Sequence, residues 1–226
     1  MKGIAVFLAL LIATASVNAQ HIDHSSTKNN SKSVDMTTLM NKKPEVLELN
    51  RAMRDLWYAH MYWTLITVDA YFNDPIGLNA KLNRLLQNQK DIGAAIVPYY
   101  GQAAGDQLAK LLTEHITLAV PVLKAAKEND NVALNKAIKD WYGNAKEIGT
   151  FLASVNPKHW RADETQAALE MHITQTITYS VSILKGEYSQ SFGGFEEATR
   201  HMIMLADVLT EGIARQFPEK FKMITL

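Results

Sequence analysis

The chain has 226 residues, 47% of them hydrophobic and 20% charged, enough to bury one sizeable core within the usual length of a single domain. Lys plus Arg and Asp plus Glu both number 23, so the excess of positive charge that a phosphate backbone recruits is missing, which argues against nucleic acid as a partner. No cysteine is present, which excludes disulfides and a lipid-modified cysteine.

The first stretch, MKGIAVFLALLIATASVNAQ, places Lys2 before an apolar run from Ile4 to Ile12 and the small-residue site Val17-Asn18-Ala19. This is the pattern of a signal peptide over residues 1–19, and it predicts a periplasmic or secreted protein. The run is too short to span a bilayer, and no later run approaches the ~20 apolar residues that a membrane helix needs. Residues 20–43 are polar and without helical period, which predicts a disordered leader.

From Pro44 the pattern becomes helical. Pro44 suits a first helical turn, and Leu49, Met53, Leu56, Trp57, His60, Trp63, Thr64 and Thr67 keep the spacing of one helix face. Asn73-Asp74-Pro75-Ile76-Gly77 should end this helix, because the residue before proline avoids the α region. A second helix is expected over about 79–97, and a third over about 103–127, bent at Pro121 where a helical N–H is missing. A turn at Asn129-Asp130-Asn131 precedes a fourth helix over about 132–154, and a fifth, about 163–186, closes at Gly186. Ser189 to Gly194 reads as the turn before a sixth helix over about 194–216, which stops at Phe217-Pro218. No stretch alternates with period two for long enough to make a strand. The fold class is therefore all-α: an up-down bundle of about six helices, built as three hairpins over residues 44–226.

An internal repeat runs through the hairpins. Asn88-Gln89-Lys90-Asp91-Ile92-Gly93 resembles Asn144-Ala145-Lys146-Glu147-Ile148-Gly149 at an offset of 56, and helices one, three and five each carry one histidine: His60, His115 and His172. Each histidine precedes its turn by about a dozen residues, and an amide or carboxylate follows the turn by as many. At ~1.5 Å per residue the two meet at one height in the bundle. Asn88 and Asp91 are thereby matched with His60, Asn144 and Glu147 with His115, and Asp207 with His172, forming a polar mid-bundle layer. Glu114, a quarter-turn from His115, is expected behind it in a supporting role with Asn88, Asn144 and Glu147.

Burying such groups without partners costs a few kcal/mol each, so they should be bonded together or to a ligand. Three imidazoles with Asp91 and Asp207 as oxygen donors form a set that zinc, copper, manganese or iron accepts. The expected function is binding of a transition-metal ion or small ligand in this layer. One alternative is a metal-dependent enzyme using the same groups. Another is a non-catalytic interaction or stress-protection module, its histidines satisfied by Thr64, Thr117, Thr174 or Thr176, in which the layer only sets helix register. His159 and His201 are expected outside the layer, on the surface. The Glu-x-x-His pair of di-iron bundles, His-Glu-x-x-His, Gly-x-Ser-x-Gly, a Walker loop and a dinucleotide fingerprint are all absent from the sequence.

Leu56-Trp57-Tyr58-Ala59-His60 with Trp63-Thr64, "RLLQNQKDIG" at 84–93, "LLTEH" at 111–115, "WYGNAKEI" at 141–148 and "QFP" at 216–218 resemble a family of small, mostly uncharacterised bacterial all-helical proteins. The resemblance covers nearly all of the chain after residue 50 and implies the helical fold and the polar layer, without an activity. Some relatives carry generic enzyme labels, glycosyltransferase among them, for which no motif stands here. In the family pattern an Arg follows the Trp-Thr pair, where this chain has Leu65.

Overall fold

A computed structural model describes residues 36–222. The expected signal peptide, and the leader as far as residue 35, lie outside the described residues. Within them the chain forms α1 (Met36–Lys42), α2 (Pro44–Asn73), α3 (Pro75–Tyr100), α4 (Gln102–Glu128), α5 (Asn131–Val155), α6 (Ala162–Leu184) and α7 (Tyr188–Gln216), followed by a 3-10 turn at Pro218–Lys220. There is no strand among the described residues, and the fold is an all-α bundle. No described helix is long and apolar enough to cross a membrane.

The six long helices follow the apolar periodicity closely, and local chemistry sets their ends. Asp74 alone joins α2 to α3, with Pro75 supplying the fixed φ of a first turn. Gly101 alone joins α3 to α4 at φ 83°, a value that suits glycine. Asn129 closes α4 in the left-handed region, and the Asp130 carboxylate caps α5 by accepting from the backbone N–H groups of Val132 and Ala133. Gly186, at φ 74°, turns the chain from α6 into α7.

Three expectations change. Residues 36–42, placed in the leader, are helical, and the buried Lys43 behind them donates from Nζ to the carbonyl of Pro218 at 2.9 Å. Ser189 to Gly194 is not a turn but the first part of α7, where the aromatic ring of Phe195 meets that of Tyr179 edge-on across the α6–α7 pair. Pro98, one residue past the expected end of the second helix, lies inside α3, which runs on to Tyr100, whereas Pro121 lies inside α4 as the expected bounds of the third helix require.

Each long helix packs on the one before it, and α7 returns to α2, so the ring of helices closes. Short connections make successive helices antiparallel. It follows that α2, α4 and α6 run in one direction and α3, α5 and α7 in the other. Besides its sequence neighbours, α6 touches both α2 and α4. That inner contact brings the three histidine-bearing helices together. Close approach elsewhere depends on missing side chains: a Cβ added at Gly93 would stand 2.5 Å from the carbonyl oxygen of Gly105, where α3 and α4 meet backbone to backbone.

Candidate functional site: a buried imidazole–amide layer

The apolar faces of α2, α4 and α6 bury His60, His115 and His172, which are 1%, 3% and 3% exposed. Their rings form a row. His60 and His172 have ring centroids 5.4 Å apart and Nε2 atoms 3.4 Å apart, while His115 stacks on His172 at 5.8 Å with an interplanar angle of 24°. Trp57 packs edge-on against His60, and Trp141 lies tilted against His115 at 5.2 Å. The central position of His172 follows from the contacts of α6 with both α2 and α4.

The partners of these rings are amides. Asn144 Nδ2 donates to the carbonyl of Leu111 at 3.1 Å, which turns its Oδ1 toward His115 Nδ1, 2.8 Å away. Since Oδ1 can only accept, Nδ1 carries the proton and the lone pair of His115 sits on Nε2. Asn88 Nδ2 donates to the carbonyl of Leu56 at 3.0 Å, and its Oδ1 accepts from Gln89 Nε2 at 3.2 Å. Gln89 Nε2 gives one of its two hydrogens to the carbonyl of Leu85 at 2.7 Å and shares the other between Asn88 Oδ1 and His60 Nδ1, 3.3 Å away. With the amide nitrogen facing it, His60 Nδ1 accepts, His60 Nε2 carries the proton and directs it at His172 Nε2, and His172 holds its own proton on Nδ1.

Burial keeps all three rings uncharged. Desolvation, aided by the neighbouring His115, lowers the His60 pKa to about 3, and desolvation lowers that of His115 to about 4 against the opposing hydrogen bond from Asn144. His172 is pushed well below its ordinary value, by burial first and then by His60, His115 and His201. Several atoms of the layer lack a hydrogen-bond partner: His115 Nε2, His172 Nδ1, Gln89 Oε1 and Thr176 Oγ1. Each such buried group costs about 1–3 kcal/mol unless something satisfies it.

Of the residues singled out from sequence, His60, His115, His172, Asn88 and Asn144 come together. The two aspartates do not. Asp91 faces Arg84 at 3.4 Å and accepts from Gln87 on the outer face of α3, and Asp207 is clamped by Arg54 at 2.6 Å and by Asn50 across α2 and α7. Both are partly exposed, for a carboxylate retains its charge more cheaply beside an arginine at the surface than in a layer with no cation. Glu114 and Glu147 line an open groove between α4 and α5, whose wall includes Asn144, and Glu114 lies 3.9 Å from Lys110. The threonines do not serve the rings either: Thr64 donates to the carbonyl of His60, Thr117 to that of Glu114 and Thr174 to that of Glu170. Among the described residues no group of three or more His, Cys, Asp or Glu side chains is placed to hold a metal ion as the rings stand.

Two members of the layer were not expected. Gln89 takes the role assigned to Asp91. His201, expected on the surface, is half-buried and bonds through Nε2 to the carbonyl of Ala168 at 2.7 Å. The signal that finds both is a constant separation: Gln89, Asn144 and His201 each follow their hairpin's histidine by 29 residues.

Fold and layer together define an all-α bundle of three hairpins around a buried row of neutral imidazoles held by amides. Comparison of the chain with protein-family models, curated proteins and solved structures finds no match.

Proposed function

We propose that the protein binds a transition-metal ion through the imidazole nitrogens of His60, His115 and His172, with no carboxylate among the ligands. The observation that carries this reading is the 3.4 Å separation of the Nε2 atoms of His60 and His172. Two nitrogens bound at ~2.0–2.1 Å to one ion stand about 3.3–3.6 Å apart at tetrahedral or trigonal angles. Burial favours the neutral ring, which is the ligating form. His115 adds a buried lone pair on Nε2 without a partner, its Nδ1–H held by an amide oxygen in the manner of metal-ligating histidines.

Binding needs two adjustments. The His115 ring turns its Nε2 to the ion, and the proton between His60 and His172 moves to His60 Nδ1. There Gln89 Oε1, buried and without a partner, accepts it once the amide turns over. A donor set of neutral nitrogens favours copper and zinc over manganese and iron, which more often recruit carboxylates. Cu(I) suits it best, because one uncompensated charge is cheaper to desolvate than two. Export to the periplasm or beyond, read from Lys2 and the apolar run after it, and kinship with the small bacterial all-helical proteins belong to the same proposal.

The test is elemental analysis of the purified protein followed by titration with Cu(I) and Zn(II). One equivalent is expected in the wild type and in Asp91→Asn and Asp207→Asn, with loss in His60→Ala, His115→Ala and His172→Ala. Wild-type protein that takes up neither ion overturns the reading.

A second reading, in which the layer only fixes helix register, is favoured by one observation. Asn88, Asn144 and His201 each bond the main-chain carbonyl one turn before their hairpin's histidine, at Leu56, Leu111 and Ala168. In that case wild type and variants are alike free of metal, and the variants only lose stability.

A further inference from the structure

His201 occupies, in the third hairpin, the place that an amide occupies in the other two. It follows His172 by 29 residues, as Gln89 follows His60 and Asn144 follows His115. It reaches across from α7 to the carbonyl of Ala168, four residues before His172, as Asn144 reaches across from α5 to that of Leu111, four residues before His115. Asn144 does two things at once, since the same side chain donates to the carbonyl and accepts from the histidine. In the first hairpin the work is divided between Asn88 and Gln89.

The second task is still open in the third hairpin. A carbonyl can only accept, so the Nε2 of His201 carries its proton and the lone pair lies on Nδ1. His172 Nδ1, on the neighbouring helix, is buried and without a partner. The chain of donors running from Gln89 through His60 leaves the His172 proton on that same atom. A donor without an acceptor on one ring is thus matched by an acceptor on another, at the repeat position where the second hairpin closes its bond.

We infer that His201 is the positioning residue for His172: its Nδ1 accepts the His172 Nδ1–H, and so keeps the His172 Nε2 lone pair facing His60. Closing the bond requires the two rings to shift toward each other with His201 Nε2 kept on the Ala168 carbonyl. His201 is then the histidine counterpart of Asn144, and the only one of the four imidazoles that reaches the surface of the bundle. Its effect on ion binding rests on the function proposed above, whereas its effect on the proton of His172 does not.

The experiment is nitrogen-15 NMR of the histidine rings at pH 7 in the full chain, for wild type, His201→Asn and His201→Leu. In wild type, His172 is expected to be protonated on Nδ1, with a through-bond coupling to His201 Nδ1 and a downfield Nδ1–H resonance. Asn supplies a carbonyl donor and an acceptor as Asn144 does, so His201→Asn retains the downfield resonance. His201→Leu supplies neither and loses it. In parallel titrations with Cu(I), His201→Leu binds at least about tenfold more weakly and His201→Asn within a few-fold of wild type, the scale of effect usual for groups that orient a metal-ligating histidine. A His172 ring unprotonated at Nδ1 in wild type, or an Nδ1–H resonance unmoved in His201→Leu, overturns the inference. If wild type binds no ion while the resonances behave as expected, the proposed function falls and the role of His201 stands.

Discussion

Asn144 holds His115 and the backbone of His115's own helix with one amide: Oδ1 lies 2.8 Å from the ring Nδ1 while Nδ2 donates to the Leu111 carbonyl. Both bonds are buried, so removing the amide strands the His115 Nδ1–H and leaves the Leu111 carbonyl with its helical bond alone. Asn144→Leu is expected to cost about 2–4 kcal/mol of stability, from two bonds of about 1–2 kcal/mol each. Urea unfolding at neutral pH measures it, and a loss below about 1 kcal/mol would mean that the layer is not tightly held.

Acid should unfold the protein earlier than its carboxylates alone require. The folded pKa values of His60 and His115 are lowered to about 3 and about 4, and that of His172 is lowered too, whereas the unfolded chain titrates near 6.5. Below 6.5 the unfolded state therefore binds more protons than the folded one. Stability from these groups is complete above about pH 6.5 and is lost as pH falls toward the folded values. A decline on the order of several kcal/mol between pH 7 and pH 4.5 is expected in urea titrations, and it should flatten when His60, His115 and His172 are all replaced by Gln.

Gln89→Glu separates the state without ion from the state with it. A carboxylate cannot donate to the Leu85 carbonyl or to Asn88 Oδ1, so the variant should lose about 1–3 kcal/mol without ion. Yet it accepts a proton from His60 Nδ1 and frees His60 Nε2 for the ion, so Cu(I) affinity should rise about tenfold. Calorimetric titration against wild type gives the sign, and weaker binding in the variant would contradict the proton shift assigned to His60.

The surface ion pair of Arg54 and Asp207 makes the opposite case. It bridges α2 and α7 at 2.6 Å with both side chains partly exposed. Arg54→Ala should cost no more than about 1 kcal/mol. Ion uptake should be unchanged. A large fall in uptake would return Asp207 to the site.

Gly93→Ala tests the close approach of α3 and α4. The added methyl group would meet the Gly105 carbonyl at 2.5 Å and the Ala109 side chain at 2.7 Å, and neither is the far end of a flexible chain. Forced separation should cost about 1–3 kcal/mol in thermal or urea unfolding.

The helices and the three histidines could be read from sequence because burial imposes a period. His60, His115 and His172 occupy positions where an apolar residue belongs, and their spacing repeats. The partners were harder to read, because a carboxylate looks like the better metal ligand. Asp91 and Gln89 lie two residues apart and so face different sides of α3. Desolvation decides between them, sending the charged side chain out to Arg84 and keeping the neutral amide in. His201 escaped notice for the opposite reason: it stands where its repeat partners are amides, and only the constant separation of 29 residues exposes it. Gly193 and Gly194 look like a turn, yet the pairing of α6 with α7 draws them into a helix already begun at Tyr188.

The most direct measurement is metal-edge X-ray absorption on the protein loaded with one equivalent of Cu(I), beside His172→Leu treated in the same way. Binding within the layer predicts a shell of imidazole nitrogens near ~2.0 Å in the wild type and loss of the ion from the variant. A shell of carboxylate oxygens, or an identical spectrum from the variant, would contradict it.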